Sequence, residues 1–151
     1  MAVVLAVGVV TTATVTAIGD ARARGVDTTA QEARDFAVQS VPTILSYDHN
    51  TVDAHFTDAL KLLGGDFRAQ FDDVSQRVIA PSAKNRQVVT KAQVVDSAIV
   101  SATSNDAHLL LFVNQSTTST DSPATKLDGS RVQVTVSRFG DDWLITEIKP
   151  V

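Results

Sequence analysis

Residues 88–113 read VVTKAQVVDSAIVSATSNDAHLLLFV, and within them the chain changes from helix-like to strand-like periodicity. Over residues 88–102 a mostly apolar set alternates with a polar one. This pattern predicts a long strand, because successive side chains of a strand point to opposite faces. The doublets Val94-Val95 and Ile99-Val100 shift the alternation and predict β-bulges. A turn and a second strand, to about Thr118, follow.

Two further strands are predicted after the second. Residues 131–138 alternate cleanly, and residues 143–148 form the last strand. Before them, residues 121–126 with Pro123 predict a loop, and Asp128-Gly129 predicts a turn. Short connections of this kind suit antiparallel hairpins. The sequence therefore predicts an antiparallel sheet of about four strands.

The residues before position 88 have helical periodicity. A capping-box spacing between Thr29 and Glu32 predicts the start of a first helix, and Pro42 predicts a kink or an end near Val41. A second helix fits residues 51–63, with Gly64-Gly65 as its C-terminal cap. A third helix, capped by Asp66, is expected to bend or end at Ala80-Pro81, with an apolar stripe formed by Phe67, Phe71, Val74 and Val78. Helices followed by strands predict an α+β fold, in which three helices pack on one face of a curved sheet.

The first nineteen residues contain no charged side chain, and all charges lie between Asp20 and Lys149. A helix of this length spans about 28 Å, close to the roughly 30 Å of a bilayer's hydrocarbon core. We therefore predict a transmembrane anchor at residues 1–19, a linker at 20–27 and one domain at 28–151. A cleaved signal peptide and a buried apolar segment are the alternatives. Charge does not set the orientation of the anchor.

The composition excludes several classes of protein. The chain of 151 residues has no cysteine, which rules out disulfides, thiolate metal sites and thiol nucleophiles. Its formal net charge of −4 argues against binding nucleic acid by bulk charge. No motif for a cofactor, a metal ion or a nucleophilic triad has its diagnostic spacing. We expect no cofactor.

Four features of the sequence are candidates for a functional role. His49 and Asp53 could share a metal ion on a helix, but a solvated helix start is the simpler interpretation. Asp96 falls on the apolar face of its strand, and a bulge would move it to the surface. Residues 114–119 (NQSTTS) continue an apolar strand with small polar side chains, which either bond to neighbouring backbone or face a partner. Trp143, at the start of the last strand, is expected in the core.

Several segments of the chain, taken in order, resemble the Mce-associated membrane proteins of actinobacteria. Those segments, which cover most of the chain from about Asp35 onwards, are residues 45–48 (LSYD), 63–67 (LGGDF), 80–81 (AP), 110–118 (LLFVNQSTT), 127–132 (LDGSRV), 143–145 (WLI) and 149–151 (KPV). The resemblance implies a cone-shaped domain like nuclear transport factor 2 (NTF2) or VirB8. That domain would lie outside the cytoplasm on a single-pass anchor in the cell membrane.

The resemblance also implies a non-enzymatic role in stabilising an Mce transporter that imports lipids such as sterols or fatty acids. The implied partners are Mce subunits or related membrane proteins, with a lipid as a further candidate ligand. The structural or partner-contacting residues carried over from the motifs are Tyr47, Asp48, Gly65, Asp66, Phe67, Pro81, Asn114, Gln115, Thr117, Asp128, Gly129, Arg131 and Trp143. Two alternatives remain, a lipid-binding cone and an isomerase of the SnoaL or ketosteroid-isomerase type. The isomerase would require Tyr47, Asp96 and the histidines to converge.

Overall fold

A computed structural model describes the backbone of residues 7–151 and the side chains of residues 25–151 other than Pro123. Helical elements come first and the long strands follow, as the periodicity predicts. The helices are α1 (Val7–Leu45), α2 (Val52–Ala59), α3 (Gly65–Val74) and α4 (Ala80–Arg86). The strands are β1 (Tyr47–Asp48), β2 (Val89–Ala102), β3 (Asp106–Ser119), β4 (Ser122–Phe139) and β5 (Asp142–Pro150). The α+β class is confirmed.

Helix α1 is longer than its sequence signals suggest. The predicted start at Thr29 is wrong, because the helix already runs from Val7 and includes the linker predicted at 20–27. The predicted end near Val41 is also wrong, since Pro42 lies inside the helix. Only one further turn follows the proline, and the backbone N–H of Ser46 donates to the Pro42 carbonyl at 3.0 Å, which closes that turn.

The anchor predicted at residues 1–19 lies partly outside the described residues, which begin at position 7. Of the helices that the structure describes, none combines the length and the apolar character needed to cross a bilayer.

The third helical segment contains a π turn, Ser75–Ile79, between α3 and α4. The end expected at Ala80-Pro81 is wrong, because α4 continues through both residues to Arg86. The predicted stripe fails in its second half: Val74 and Val78 are 47% and 61% exposed, whereas Ser75, Ala80 and Ala83 are buried. A π turn adds a residue to the helical repeat and rotates the face that follows it, which accounts for Val78 but not for Val74, since Val74 precedes the turn.

The sheet has five antiparallel strands in the order β1-β2-β3-β4-β5, one more than predicted. The additional strand, β1, has two residues and pairs Tyr47 with Thr90, which is too short for periodicity to reveal. Both predicted bulges in β2 are confirmed, since the register against β3 shifts between Val94 and Asp96 and again between Ile99 and Ser101. The bulges bend the strand, as a cone requires.

Strand β4 corrects the predicted loop at 121–126 and the predicted turn at Asp128-Gly129. Residues 122–126 and Asp128-Gly129 lie within the strand, while Asp121 belongs to the turn before it. The register pairs Lys126, Asp128 and Gly129 with Thr117, Gln115 and Asn114 of β3. The continuous ladder satisfies these backbone groups, and that tertiary pairing outweighs the local turn preference of Asp-Gly.

The core lies between α1 and the concave face of the sheet. Small and branched residues of α1 face inward, namely Ala33, Ala37, Val41 and Ile44. They pack against alternate residues of the strands, namely Ala107, Leu109, Leu111, Val113, Val132, Val134, Val136, Trp143 and Ile145. A second, smaller cluster joins α2, α4 and the start of β2 around Val52, Phe56 and Val88. The small side chains of α1 let this helix lie close to the sheet.

Candidate functional site

Six of the motif residues lie together on β3 and β4. The register places Asn114 opposite Gly129, Gln115 opposite Asp128 and Thr117 opposite Lys126. Asp128 also forms an ion pair with Lys126, at 2.9 Å between the side-chain atoms. Alternation along the strands puts Asn114, Gly129 and Arg131 on the outer face of the sheet, away from α1. Gln115, Thr117 and Asp128 fall on the other face.

Tyr47 and Asp48 form β1, at the junction of α1, α2 and β2. The ring of Tyr47 packs on Phe56 with centroids 5.7 Å apart. The Asp48 carboxylate accepts hydrogen bonds from the Asn50 backbone N–H at 2.8 Å and from the Asn50 side chain at 2.9 Å. The backbone hydrogen bond is the main reason why the pKa of Asp48 lies below its usual value of 3.8. Through these contacts β1 joins α2 to the edge of the sheet.

The segment from Leu63 to Phe67 attaches α3 to the last strand. Gly64 is buried and its N–H donates to the Ile145 carbonyl at 2.9 Å. Gly65 has a φ of +59°, which favours glycine. Asp66 was expected to cap the helix but lies in its first turn, where a negative charge still favours the helix dipole. Phe67 is half-buried and packs towards Phe71, with ring centroids 6.4 Å apart.

Trp143 is 9% exposed and belongs to the core, as expected. Its indole Nε1 has no hydrogen-bond partner within the described residues. The guanidinium of Arg138 lies over the ring, 4.8 Å from its centroid, and also reaches Glu32 of α1 at 3.2 Å. Trp143 and Arg138 therefore connect β5 and β4 to α1.

Pro81 lines an open cleft of about 600 Å³ between α2, α3 and α4. Phe56 and Leu60 contribute apolar surface, and an ion pair of 2.6 Å between Lys84 and Asp53 lies at its wall. His49 lies before α2, so it does not share a helix face with Asp53 as the predicted metal site requires. No group of three metal-binding side chains occurs among residues 25–151.

The groups that an isomerase would need are distributed over two regions. Tyr47, His49 and His55 lie around β1 and α2, where His55 Nε2 is 2.6 Å from the Thr43 carbonyl oxygen. Asp96 is exposed and pairs with Phe112 on the outer face of the sheet, so the bulge has moved it to the surface. His108 lies on the same face, with Nδ1 3.2 Å from Thr135 Oγ1. The interior between α1 and the sheet contains packed aliphatic side chains.

Sequence reasoning missed the neighbours of the polar strand segment. Lys91, Gln93 and Leu127 adjoin Asn114 and Ser116 in a surface hollow of about 730 Å³. Their proximity follows from the register of three strands, and that register depends on a bulge and on a strand that reads locally as a turn. Leu127 is 77% exposed in this hollow, which is unusual for a large apolar side chain.

The fold matches solved structures at low sequence identity. An IcmL-like type IV secretion system protein from Legionella pneumophila aligns with a TM-score of 0.66 and 9% identity, over 81% of this chain and 91% of that one. VirB8 of Agrobacterium tumefaciens gives 0.59 and 8%, over 82% and 90%. An NTF2-like superfamily protein from Salmonella enterica gives 0.56 and 12%, over 83% and 91%. The NTF2-like, VirB8-like fold is therefore confirmed.

Sequence relatives occur in Mycobacterium tuberculosis, although no family model matches the chain. The uncharacterized protein Rv1362c is 41% identical over 108 residues, which is 72% of this chain and 49% of that protein. The chain thus spans about half the length of this relative. The protein named outer membrane protein Rv1973 is 33% identical over 116 residues, which is 76% of this chain and 71% of that protein. By this identity and coverage, the chain belongs to the family of the mycobacterial protein Rv1973.

Proposed function

We propose that the chain is a non-enzymatic accessory subunit of a membrane transporter. The packed interior carries this proposal: buried aliphatic residues fill the space between α1 and the sheet, which leaves the surface of the domain for function. The IcmL-like type IV secretion system protein of Legionella pneumophila supports such a role, since it shares the fold. On this view, the motif residues either hold the domain together or contact partner subunits.

The finer proposal is an Mce-type transporter that imports sterols or fatty acids. It rests on the ordered motifs at residues 45–48, 63–67, 110–118 and 127–132, which resemble Mce-associated membrane proteins. Relatives from Mycobacterium tuberculosis are consistent with this assignment. The domain would lie outside the cytoplasm, held to the cell membrane by residues 1–19.

Deletion of the gene in its native host tests the accessory role. We expect the Mce subunits to fall in abundance, measured by quantitative mass spectrometry of membranes, and uptake of radiolabelled cholesterol or oleate to fall with them. Complementation with the full chain should restore both quantities. Unchanged subunit levels together with unchanged uptake of both lipids would refute the proposal.

Two arginines placed within the uncharged segment test the anchor. Each Arg near the middle of a membrane helix costs about 2.5–3.5 kcal/mol on insertion scales. The double variant Val9→Arg, Val10→Arg should therefore leave the membrane pellet on alkaline washing, whereas Val9→Leu, Val10→Leu should stay in it. A charged variant that remains in the pellet would show that residues 1–19 are not the anchor. A C-terminal alkaline phosphatase fusion, active only outside the cytoplasm, reports the orientation.

A ligand-binding function is the second candidate, favoured by the cleft of about 600 Å³ beside Phe56, Leu60 and Pro81. Its volume falls within the usual range of ligand pockets. Lipid extraction of the purified chain followed by mass spectrometry decides between the two. A stoichiometric lipid would favour the carrier, and Leu60→Glu should then abolish its retention.

A further inference from the structure

The outer face of the sheet carries a continuous groove across β2, β3 and β4. Two hollows, of about 730 and 440 Å³, adjoin there and share Asn114 and Gly129. We call this surface the outer groove and define it by six residues: Lys91, Gln93, Asn114, Leu127, Gly129 and Arg131. Gly129 forms its floor, because this position has no side chain to fill the space.

The strand register explains how the groove is built. One row across the sheet pairs Lys91 with Ser116 and Ser116 with Leu127, and the next row pairs Gln93 with Asn114 and Asn114 with Gly129. Both rows lie on the face opposite to the buried residues of β3. The bulge at Val95 separates these rows from the following part of the sheet.

Polar side chains in the outer groove have unused hydrogen-bonding capacity. Within the described residues, the side chains of Gln93, Asn114 and Ser116 form no hydrogen bond to another residue. Each amide offers two N–H donors and a carbonyl acceptor, the same chemistry as a peptide backbone. These groups bond to water in the free domain and can exchange it for a polar ligand without leaving a buried group unpaired.

Charge distinguishes this face from the rest of the domain. Eight Lys and Arg side chains of the described residues form ion pairs with carboxylates. Arg68, Lys91 and Arg131 do not, and two of these three flank the outer groove. Lys91 does act at longer range on the Asp48 carboxylate.

Negative charge near the groove is limited. The Asp128 carboxylate is paired with Lys126. Asp96 lies in the row of Phe112 and Arg131, is exposed, and accepts a hydrogen bond from the Ser97 backbone N–H at 2.8 Å. Asp96 is in no ion pair within the described residues, and it partly offsets Arg131. The attraction for an anionic ligand therefore comes from Lys91 at one end of the groove and from Arg131 at the other.

The positions of Lys91 and Arg131 set the length of that ligand. Lys91 is two strands away from Leu127, and Arg131 is four residues further along β4. At about 4.8 Å per strand and 3.3 Å per residue, the two backbone positions are roughly 16 Å apart. In an extended peptide, only side chains an even number of residues apart share a face, and a separation of four residues covers about 13 Å. The long side chains of Lys91 and Arg131 can cover the remaining distance. The exposed Leu127 side chain can contact an apolar residue between two acidic ones.

We propose that the outer groove binds an extended acidic segment of a partner subunit, with two acidic residues four positions apart so that both carboxylates face the groove. This inference rests on the proposed function, since it names the surface by which the accessory subunit contacts its transporter. The side-chain amides bond to the segment's backbone, while Lys91 and Arg131 attract its two carboxylates.

Nuclear magnetic resonance titration of the full chain in detergent micelles tests the groove. The probe is the pentapeptide acetyl-Glu-Thr-Val-Thr-Glu-amide, in which both Glu side chains and the Val share one face of the extended chain. The control peptide has Gln at both Glu positions. The Glu peptide should bind at least fivefold more tightly, and raising the salt concentration from 50 to 500 mM should weaken it. Its chemical-shift changes should be confined to residues 91–93, 114–116 and 127–131.

Matched variants locate the charges. Lys91→Gln and Arg131→Gln should each weaken binding about threefold, and the double variant about tenfold, as partly exposed ion pairs do. Arg68→Gln removes another unpaired cation, on α3, and should leave the affinity unchanged. Equal binding of the two peptides, or equal effects of Arg68→Gln and Arg131→Gln, would overturn the proposal. So would tighter binding of an oligogalacturonate that displaces the peptide.

The same variants separate this inference from the proposed function in cells. If deletion lowers the Mce subunits and the double variant Lys91→Gln, Arg131→Gln lowers them as well, both proposals stand. If deletion lowers them and the double variant does not, the groove is wrong while the accessory role remains. If deletion has no effect, the accessory role itself fails.

Discussion

Replacing Gly64 by alanine should destabilise the domain by overpacking. Gly64 has a φ of −129° and a ψ of 170°, an ordinary extended conformation that alanine also adopts, so the substitution introduces no backbone strain. An added Cβ would lie 2.9 Å from Phe139 Cε2, 3.0 Å from Leu144 Cβ and 3.1 Å from Leu144 Cδ1. These distances are shorter than the separation of about 3.5–4.0 Å at which two carbon atoms attract each other most strongly.

The neighbouring structure decides how much of this crowding can relax. Phe139 is 47% exposed, and its ring can rotate away at little cost. Leu144 Cβ is fixed to the backbone of β5, and Gly64 itself is held by its hydrogen bond to Ile145. The contact with Leu144 therefore remains, and we expect a loss of about 1–3 kcal/mol in the free energy of unfolding, as for other overpacked sites.

Urea unfolding followed by the fluorescence of Trp143, the single tryptophan, measures this change. With an m value of about 2 kcal/mol/M, the midpoint should fall by roughly 0.5–1.5 M while m stays constant. Gly25→Ala is the matched control, because nothing lies within 4 Å of its Cβ and alanine favours helix. Its midpoint should stay constant or rise. A midpoint for Gly64→Ala within error of the native value would refute the steric reasoning.

Three further predictions use other parts of the domain. Leu111→Ala, at a fully buried position of β3, should cost about 2–5 kcal/mol in urea unfolding, whereas Leu127→Ala, at a 77% exposed one, should change stability by about 0.5 kcal/mol or less. Asp48→Asn should lower the unfolding midpoint at pH 7 and lose that effect as the pH falls below 3.8. The reason is that the folded-state pKa of Asp48 lies below this usual value, so its stabilisation is present above 3.8 and disappears on protonation. A midpoint difference that persists at pH 2.5 would contradict this explanation. Arg138→Ala should cost about 0.5–1 kcal/mol by removing the cation–π contact and should shift the emission of Trp143, while Arg68→Ala leaves that emission unchanged.

Part of the candidate site was visible in the sequence. The polar run from Asn114 is unusual in the sequence, and Asp128-Gly129 belongs to a family-like motif although its predicted turn is wrong. The structure pairs Asn114 directly with Gly129. For Lys91 and Gln93, the sequence indicates only that they belong to an alternating strand. Their place beside Asn114 depends on contacts between residues more than twenty positions apart, which local patterns do not encode.

The sequence by itself determined the order of helices and strands and both bulges of β2, because the periodicity of apolar residues reports local backbone structure. It also determined the absence of thiol chemistry, because that depends on composition alone. Only the tertiary structure decided that Pro42 lies within α1, that a π turn rotates the face after Val74, and that β4 continues through Asp128-Gly129. In each case, packing or strand pairing with a distant element outweighed the local conformational preference of a few residues, which is worth about 1–3 kcal/mol.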